Sequence, residues 1–421
     1  MPNAVNLTSE IEKQLPAELV EFMQMSGLLA SSREESLYLV GGVVRDLLLG
    51  QANVDLDLVV EGNAIDLAYR LGTTKQAKIT THPHFDTAKL QWNNWSVDLA
   101  TARSETYAKP GALPSVKAGT IENDLFRRDF TINAMAVCLT PGHYGELIDL
   151  HGGKNDIGHK LVRVLHGKSF IDDATRIWRS LRYEQRLDFQ LEQNTLGLLK
   201  RDISMLDTIS GDRIRHELEL ILNERYPEKV LRRAGELGVL AKLHPALKAE
   251  SWLTEKFKEA RQLGSTTTTP AGLYLALLTY NLSNDDIEHL ISYLRFPKAL
   301  AKIIRDTEGI KSNLQSLADP ELAPSQIYRL LYGSSSIAVQ ANLLASDSVV
   351  THRHLQLFID KLRYVKPALT GNTLKNIGIA AGPQIKEILQ LLHEARLDGR
   401  ANNKQDEEEI VKEWLQTRQT K

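Results

Sequence analysis

The sequence predicts an α+β chain, with an N-terminal α/β head followed by an elongated all-helical neck, body and tail. Three observations carry that expectation. From Leu37 to about Thr140, short β-rich runs (LYLV, LDLVV, TAKLQW, SVDLAT) alternate with helix-like stretches such as VVRDLLLG and NAIDLAYRLG. After about Ile157 strand signals almost vanish, and amphipathic patterns such as IDDATRIWRSLRYEQRL and GDRIRHELELILNERYPEKVLRRAGELGVL take over. The length, 421 residues, exceeds one ordinary core and fits roughly two to four domains.

Taken in order, residues 1–36 read as a helical leader, with Ile11, Leu15, Leu19, Phe22 and Met23 at helical spacing. Residues 37–156 form the head, which holds all the carboxylate motifs. A neck is expected over 157–225, a helical body over 226–318 and a helical tail over 319–421. Turn-rich clusters at GSTTTTPAG (264–272), ADPELAPS (318–325) and YGSSS (332–336) are the candidate breaks. The closing EEEIVKEWLQT reads as a helix whose Glu407, Glu408 and Glu409 suit the dipole of its first turn.

Composition narrows the class. The hydrophobic share of 42% and charged share of 25% are those of a soluble globular protein, and no apolar run approaches the ~20 residues that span a bilayer. The first residues carry acids early and lack an apolar signal core, so no secretory leader is expected. A lone cysteine, Cys138, forms no internal disulfide and no Cys-based zinc site, so a cytoplasmic setting is the simplest. The net charge of −2 argues against binding nucleic acid over the whole surface, and leaves a local basic patch as the way to hold it. Lys160, Arg163, His166 and Lys168 make one such patch.

Val54 to Val60 alternates as a half-buried strand, which puts Asp55 and Asp57 on one face, about 6–7 Å apart at their α-carbons. Like charges so close are unfavourable, and a divalent cation relieves them. All-oxygen ligation suits Mg²⁺, which takes one or two carboxylates plus substrate phosphates, and a second metal would complete a two-metal transfer site. A bare Asp-x-Asp is more often an ordinary solvent-facing strand. Here Gly41, Gly42 and Arg45 precede it in LVGGVVRD, a strand running into glycines and then a helix, where backbone N–H groups approach a phosphate closely. Arg45 would add a charge-assisted hydrogen bond. Asp98, in SVDLA, is a candidate third catalytic carboxylate; a plain strand-face acid is the alternative. Arg127-Arg128-Asp129 follows, and beside a triphosphate an arginine there neutralises charge.

Beyond the head, Asp173, Arg176, Arg179 and Arg182 recur every third residue, with Ile177 and Leu181 as an apolar ridge. Three arginines at that spacing repel unless something anionic lies alongside. An aspartate accepts from the exocyclic amine of adenine or cytosine, and an arginine donates to the adjoining ring nitrogen. Guanine and uracil present a carbonyl instead, so Asp173 with Arg176 would accept ATP and CTP and reject GTP and UTP. Arg179 and Arg182 would reach phosphates or ribose.

These residues resemble the class II tRNA nucleotidyltransferase and bacterial poly(A) polymerase family. LVGGVVRDLLLG is similar to its glycine motif, Asp55-Leu56-Asp57 to its metal pair, LFRRDFTINAMA to its Arg-Arg-Asp motif and DDATRIWRSLR to its base-selecting helix. ARSETYAKPGALPSVKAG looks like the mobile loop of CCA- and A-adding members, and GDRIRHELELIL like a structural neck-helix motif. The resemblance is dense over about 37–220 and thin beyond. It implies that Gly42, Arg45, Arg128, Asp173, Arg176, Arg179 and Arg182 contact the nucleotide, with Gly41 in the same turn, and that Asp55 and Asp57 bind Mg²⁺. It further implies tRNA, ATP and CTP as partners, with no membrane, and a tail that grips tRNA. The family motif commonly starts Glu-Asp followed by proline; here it is Asp172-Asp173-Ala174, which bears on how the helix is braced.

The expected activity is addition of CCA, or its terminal A, to the tRNA 3′ end. A poly(A) polymerase is the alternative enzyme, and an RNA-binding protein with a vestigial head the alternative of another class. Oligomeric state has no signature in the sequence.

Overall fold

The computed structural model describes residues 5–263 and 270–419. The leader is two helices, α1 (Thr8–Gln14) and α2 (Ala17–Ser31), separated at Leu15–Pro16 because proline can start a helix but not continue one. Ile11, Leu15, Leu19, Phe22 and Met23 are all buried, as their spacing predicts. Glu18 of α2 accepts from the indole nitrogens of Trp92 and Trp95 at 3.1 and 2.7 Å, which ties the leader to the sheet.

The head consists of β1 (Ser36–Val40), α3 (Gly42–Leu48), β2 (Leu56–Glu61), α4 (Ala64–Lys75), β3 (Lys78–His82), β4 (Thr87–Trp92), β5 (Trp95–Thr101), β6 (Arg103–Thr106), β7 (Ser115–Ala118), α5 (Ile121–Phe126), β8 (Ala136–Cys138), β9 (Leu147–Ile148) and α6 (Gly153–Gly158). Seven strands pair in the order β3-β4-β5-β2-β1-β8-β9. Only β2 and β5 run parallel; the other neighbours are antiparallel. Central β1 is apolar on both faces. Tyr38 and Val40 pack with Val59, Ile121 and Leu125, while Leu37 and Leu39 on the opposite face are fully buried. The segment that resembles a mobile loop contains the β6–β7 hairpin, in register from Arg103↔Ala118 to Thr106↔Ser115.

Helices dominate after the head, as expected, joined by a two-residue parallel pair of β10 (Leu161–Val162) and β11 (Gln190–Leu191). The helices are α7 (Ser169–Asp172), α8 (Thr175–Arg186), α9 (Gln193–Asp202), α10 (Gly211–Leu222) and α11 (Pro227–Glu236). The run IDDATRIWRSLRYEQRL, expected as one amphipathic stretch, is therefore broken at Asp173–Ala174. Asp173 is extended (φ −140°, ψ 99°), and its carboxylate accepts from the Thr175 N–H and hydroxyl at 3.0 and 2.7 Å. An aspartate that bonds backbone two residues on competes with the helix and restarts it.

By contact, the chain divides into Met1–Lys242 and Leu243–Lys421, a boundary inside the expected 226–318 body. The second unit contains α12 (Ser251–Leu263), α13 (Ala271–Leu278), α14 (Asn284–Leu294), α15 (Lys298–Ser312), α16 (Leu314–Leu317), α17 (Pro324–Leu331), α18 (Ser336–Ala345), α19 (Val349–Asp360), α20 (Gly371–Asn376), α21 (Pro383–Leu397) and α22 (Lys404–Gln419). ADPELAPS and YGSSS fall between helices as expected; residues 264–269 of GSTTTTPAG lie outside the described residues. Glu407 does more than suit a helix dipole. It is fully buried and accepts from the backbone of Ala368 and Leu369 at 2.9 and 2.7 Å and from Arg396 at 2.5 Å. No helix among the described residues is long and apolar enough to cross a membrane.

Candidate active site

β2 begins one residue past Asp55, so the two aspartates stand at the N-terminal mouth of a central strand. Parallel pairing sets Asp57 directly beside Asp98, and Asp98 opposes Lys89 of β4, with which it forms a 3.0 Å ion pair. Asp57 retains solvent access, but protein crowds it on most sides. That burial, together with Asp55 and then Asp98, pushes its carboxyl up to about 6, against the opposing pull of Arg128 and Lys89.

Above Asp57 lies the glycine turn. Gly41 has φ +78°, a conformation that strains any side chain, and a Cβ there would sit 2.8 Å from Arg128 Nη1 and displace that guanidinium. Arg128 is held by Asp124, which is fully buried and also binds Arg127. Its Nη2 donates to Asp124 at 3.0 Å, which leaves Nη1 toward the turn.

A cleft of about 410 Å³ brings Gly41, Gly42, Asp57, Arg128, Asp173, Arg176 and Arg179 together. The glycine turn and Asp57 thus share one cleft with Asp173 and Arg176. The arginines of α8 named in the sequence all have partners within the protein. Arg176, 4% exposed, donates to Ser169 Oγ at 2.8 Å and to the Arg127 carbonyl at 2.7 Å. Arg179 pairs with Asp129 at 2.7 Å. Burial alone would raise the Asp129 carboxyl, but Arg179, Asn133 and Arg176 hold it below the usual carboxylate range.

Two expected nucleotide contacts sit elsewhere. Arg45 is 3% exposed and spent on Asp46 and on Asn133 Oδ1, the latter at 2.7 Å. Asn133 in turn donates to Asp129 at 3.1 Å. Arg45 therefore lies under the cleft, in a chain of polar contacts that joins α3 to α8. Arg182 is buried between Glu224 and Glu217 at 3.4 and 3.9 Å and lines a neighbouring cavity with Arg213 and His216. Asp55 and Asp98 flank Asp57 rather than line the cleft. Within the expected basic patch, Arg163 is spent on Asp156 at 3.0 Å, and the His166 ring packs tilted against Phe126 at 5.3 Å.

Several residues of the site are invisible to motif reading. Tyr107 donates to Glu105 at 3.0 Å, and Glu105 binds Arg127 at 3.0 Å, which anchors the β6–β7 hairpin to the cleft. Tyr183 takes Arg45 and Arg182 against its ring, at 5.4 and 5.0 Å. Its spacing, four residues after Arg179, was the available signal. Arg213, in the segment read as a structural neck helix, donates to Asp173 at 2.7 Å.

A divalent cation fits this carboxylate mouth. Asp55, Asp57 and Asp98 offer hard oxygen donors, and burial together with the repulsion of its neighbours raises Asp57. Among the described residues no three ligand side chains converge tightly enough to hold an ion by themselves. The remaining ligands would come from phosphate and water, as suits Mg²⁺.

A profile described as the poly A polymerase head domain matches residues 37–163, and one described as a probable RNA and SrmB-binding site of polymerase A matches 188–251. An A-adding tRNA nucleotidyltransferase of Geobacter sulfurreducens is 34% identical over 95% of this chain, which spans about half (48%) of that relative. A relative of the same name from Halalkalibacterium halodurans is 31% identical over 98% of this chain and 97% of its own length. A solved Thermotoga maritima CCA-adding enzyme, in complex with tRNA, aligns with a TM-score of 0.76 at 30% identity, over 98% of this chain and all (100%) of that one.

Proposed function

This chain belongs to the tRNA nucleotidyltransferase and bacterial poly(A) polymerase family, and on that premise we propose that it adds CCA, or its terminal A, to the 3′ end of tRNA. ATP, and CTP for full CCA addition, are the donors, and pyrophosphate is released. The carrying observation is the single cleft that joins Gly41, Gly42, Asp57 and Arg128 to Asp173, Arg176 and Arg179. The A-only reading is favoured by the relatives at 34% and 31% identity, both named A-adding.

Each residue has a defined task. Gly41 and Gly42 admit the triphosphate close to backbone, and Arg128 and Arg179 balance its charge. Asp55 and Asp57, with Asp98 beside them, would hold Mg²⁺. When bound, the metal supplies charge neutralisation at the phosphates and activation of the attacking hydroxyl. Asp173 is the acceptor for the exocyclic amine of adenine or cytosine. Arg176, buried against Ser169 and Arg127, braces the base end of the cleft and keeps its nitrogens near it. The carboxylates present argue against a vestigial head.

The experiment supplies purified protein with tRNA ending at the discriminator base, at C or at CC, each with ATP or CTP. AMP incorporation restricted to the CC end identifies an A-adding enzyme, and stepwise CMP then AMP addition a CCA-adding one. Long tails on unstructured RNA would overturn the tRNA reading in favour of a poly(A) polymerase.

A further inference from the structure

Asp55 stands just outside the paired stretch of the sheet. β2 begins at Leu56, and its register with β5 starts at Leu56↔Val97. Asp55 and its neighbour Val54 are both exposed. A side chain two residues back braces the backbone there. Asn53 Oδ1 accepts from the Asp55 N–H at 3.0 Å, and the Nδ2 of the same amide donates to Asp46 Oδ2 at 2.7 Å.

Asp46 opens a longer relay. Arg45 Nε donates to Asp46 Oδ1 at 2.8 Å, and Arg45 Nη1 donates to Asn133 Oδ1 at 2.7 Å. Asn133 Nδ2 donates to Asp129 Oδ1 at 3.1 Å, and Asp129 Oδ2 pairs with Arg179 at 2.7 Å. The relay passes against the glycine turn, since a Cβ on Gly42 would lie 3.5 Å from Arg45 Nη2. Arg45, Asp46, Asn133 and Asp129 are all buried. A buried polar network holds its members rigidly when each is paired, and cutting one link loosens the others. One end of this network fixes the backbone of a candidate metal ligand. The other fixes a guanidinium of the cleft.

We infer that Asn53 is a positioning residue, which holds Asp55 in register with Arg179 through Asp46, Arg45, Asn133 and Asp129. The inference rests on Asp55 facing the metal, as proposed above. It also gives Arg45 a task that needs no contact with the nucleotide. Asn53 is not among the residues that line the cleft, so its loss lowers kcat and leaves KM alone.

The test compares wild type with Asn53→Ala, Asn133→Ala, the double variant and the control Val54→Ala, whose side chain is exposed on the same loop. Two properties are measured. The first is kcat and KM for nucleotide transfer to tRNA. The second, without tRNA, is the affinity for Mn²⁺ in the presence of ATP, read by electron paramagnetic resonance. Asn53→Ala is expected to lower kcat and Mn²⁺ affinity each by about tenfold at unchanged KM for ATP and tRNA. Val54→Ala is expected to match wild type. The double variant is expected to be no slower than the slower single one, because one relay is cut twice. Should Asn133→Ala not fold, Asn133→Ser completes the cycle. Effects that multiply overturn the inference, as does a kcat of Asn53→Ala within about twofold of wild type or an equal loss from Val54→Ala. If wild type transfers nothing to tRNA, the function proposed above falls and Mn²⁺ affinity decides. Weaker binding by Asn53→Ala then supports the brace on Asp55, and equal binding, or none by wild type, overturns it.

Discussion

Arg213 Nη2 donates to Asp173 Oδ1 at 2.7 Å, which joins the residue proposed to read the base to a helix residue forty positions later. That same oxygen takes the Thr175 N–H and hydroxyl. Oδ1 is thereby committed to protein, and Oδ2 is the oxygen left for a base. A carboxylate so pinned cannot rotate to suit a carbonyl-bearing base, so guanine and uracil meet an unpaired acceptor. Arg213→Ala is expected to lower the kcat/KM preference for ATP over GTP by about tenfold or more, with a smaller loss of rate on ATP. A preference unchanged within twofold would show that Arg213 does not position Asp173.

Asp57→Asn is expected to cut turnover by about a thousandfold or more, because it removes a metal-facing charge from the strand mouth. tRNA affinity is expected to stay within a few fold. Asp98 and Lys89 offer a sharper discrimination. Their ion pair is about half exposed, with side chains 42% and 45% accessible, so losing it alters stability little. Asp98→Asn should lower kcat at unchanged tRNA KM, while Lys89→Ala should not. Equal effects from the two would reduce Asp98 to a structural partner of its lysine.

The head was legible because its signals are local. Alternation in TAKLQW and SVDLAT produced β4 and β5, and the glycine turn and Asp-x-Asp met in one cleft. What escaped depends on contacts across the chain. Nothing in the motif reveals that Arg45 turns inward to its neighbour Asp46 and to Asn133, 88 positions on, which accepts from its Nη1. Helical spacing likewise ran α7 and α8 together, since periodicity does not register that Asp173 prefers backbone two residues on to helical continuation. The hairpin inside the loop-like segment escaped because polar residues such as Arg103, Ser104 and Glu105 carry no apolar alternation, and cross-strand pairing holds them.

Asp129 sets a pH dependence whose sign follows from its environment. Burial opposes ionisation, yet Arg179, Asn133 and Arg176 hold its folded pKa below the usual value. The unfolded carboxyl takes up its proton near pH 4, while the folded one stays ionised to lower pH. Its contribution is therefore complete above the unfolded pKa and is lost as pH falls toward the folded one. Asp129→Asn is expected to destabilise the chain at neutral pH by about 1–3 kcal/mol, because Arg179, itself one third exposed, loses its ionised partner. The same substitution should flatten the decline in melting temperature between about pH 5 and pH 3. An unchanged acid slope would locate that linkage in other carboxylates.

Gly27 reverses an ordinary expectation about helices. Glycine within a helix costs up to about 1 kcal/mol against alanine, so Gly27→Ala in α2 should stabilise on propensity alone. But a Cβ there would lie 1.9 Å from the Leu139 oxygen and 2.9 Å from its carbonyl carbon, both backbone atoms that yield only if the sheet moves. The leader helix thus packs directly against the chain leaving β8, and overpacking of about 1–3 kcal/mol outweighs the propensity gain. Gly197, in α9, is the control: it is also helical, and no atom lies within 4 Å of its hypothetical Cβ. Gly197→Ala is expected to raise the denaturant midpoint and Gly27→Ala to lower it. Stabilisation by both would mean that α2 stands off from Leu139 in solution.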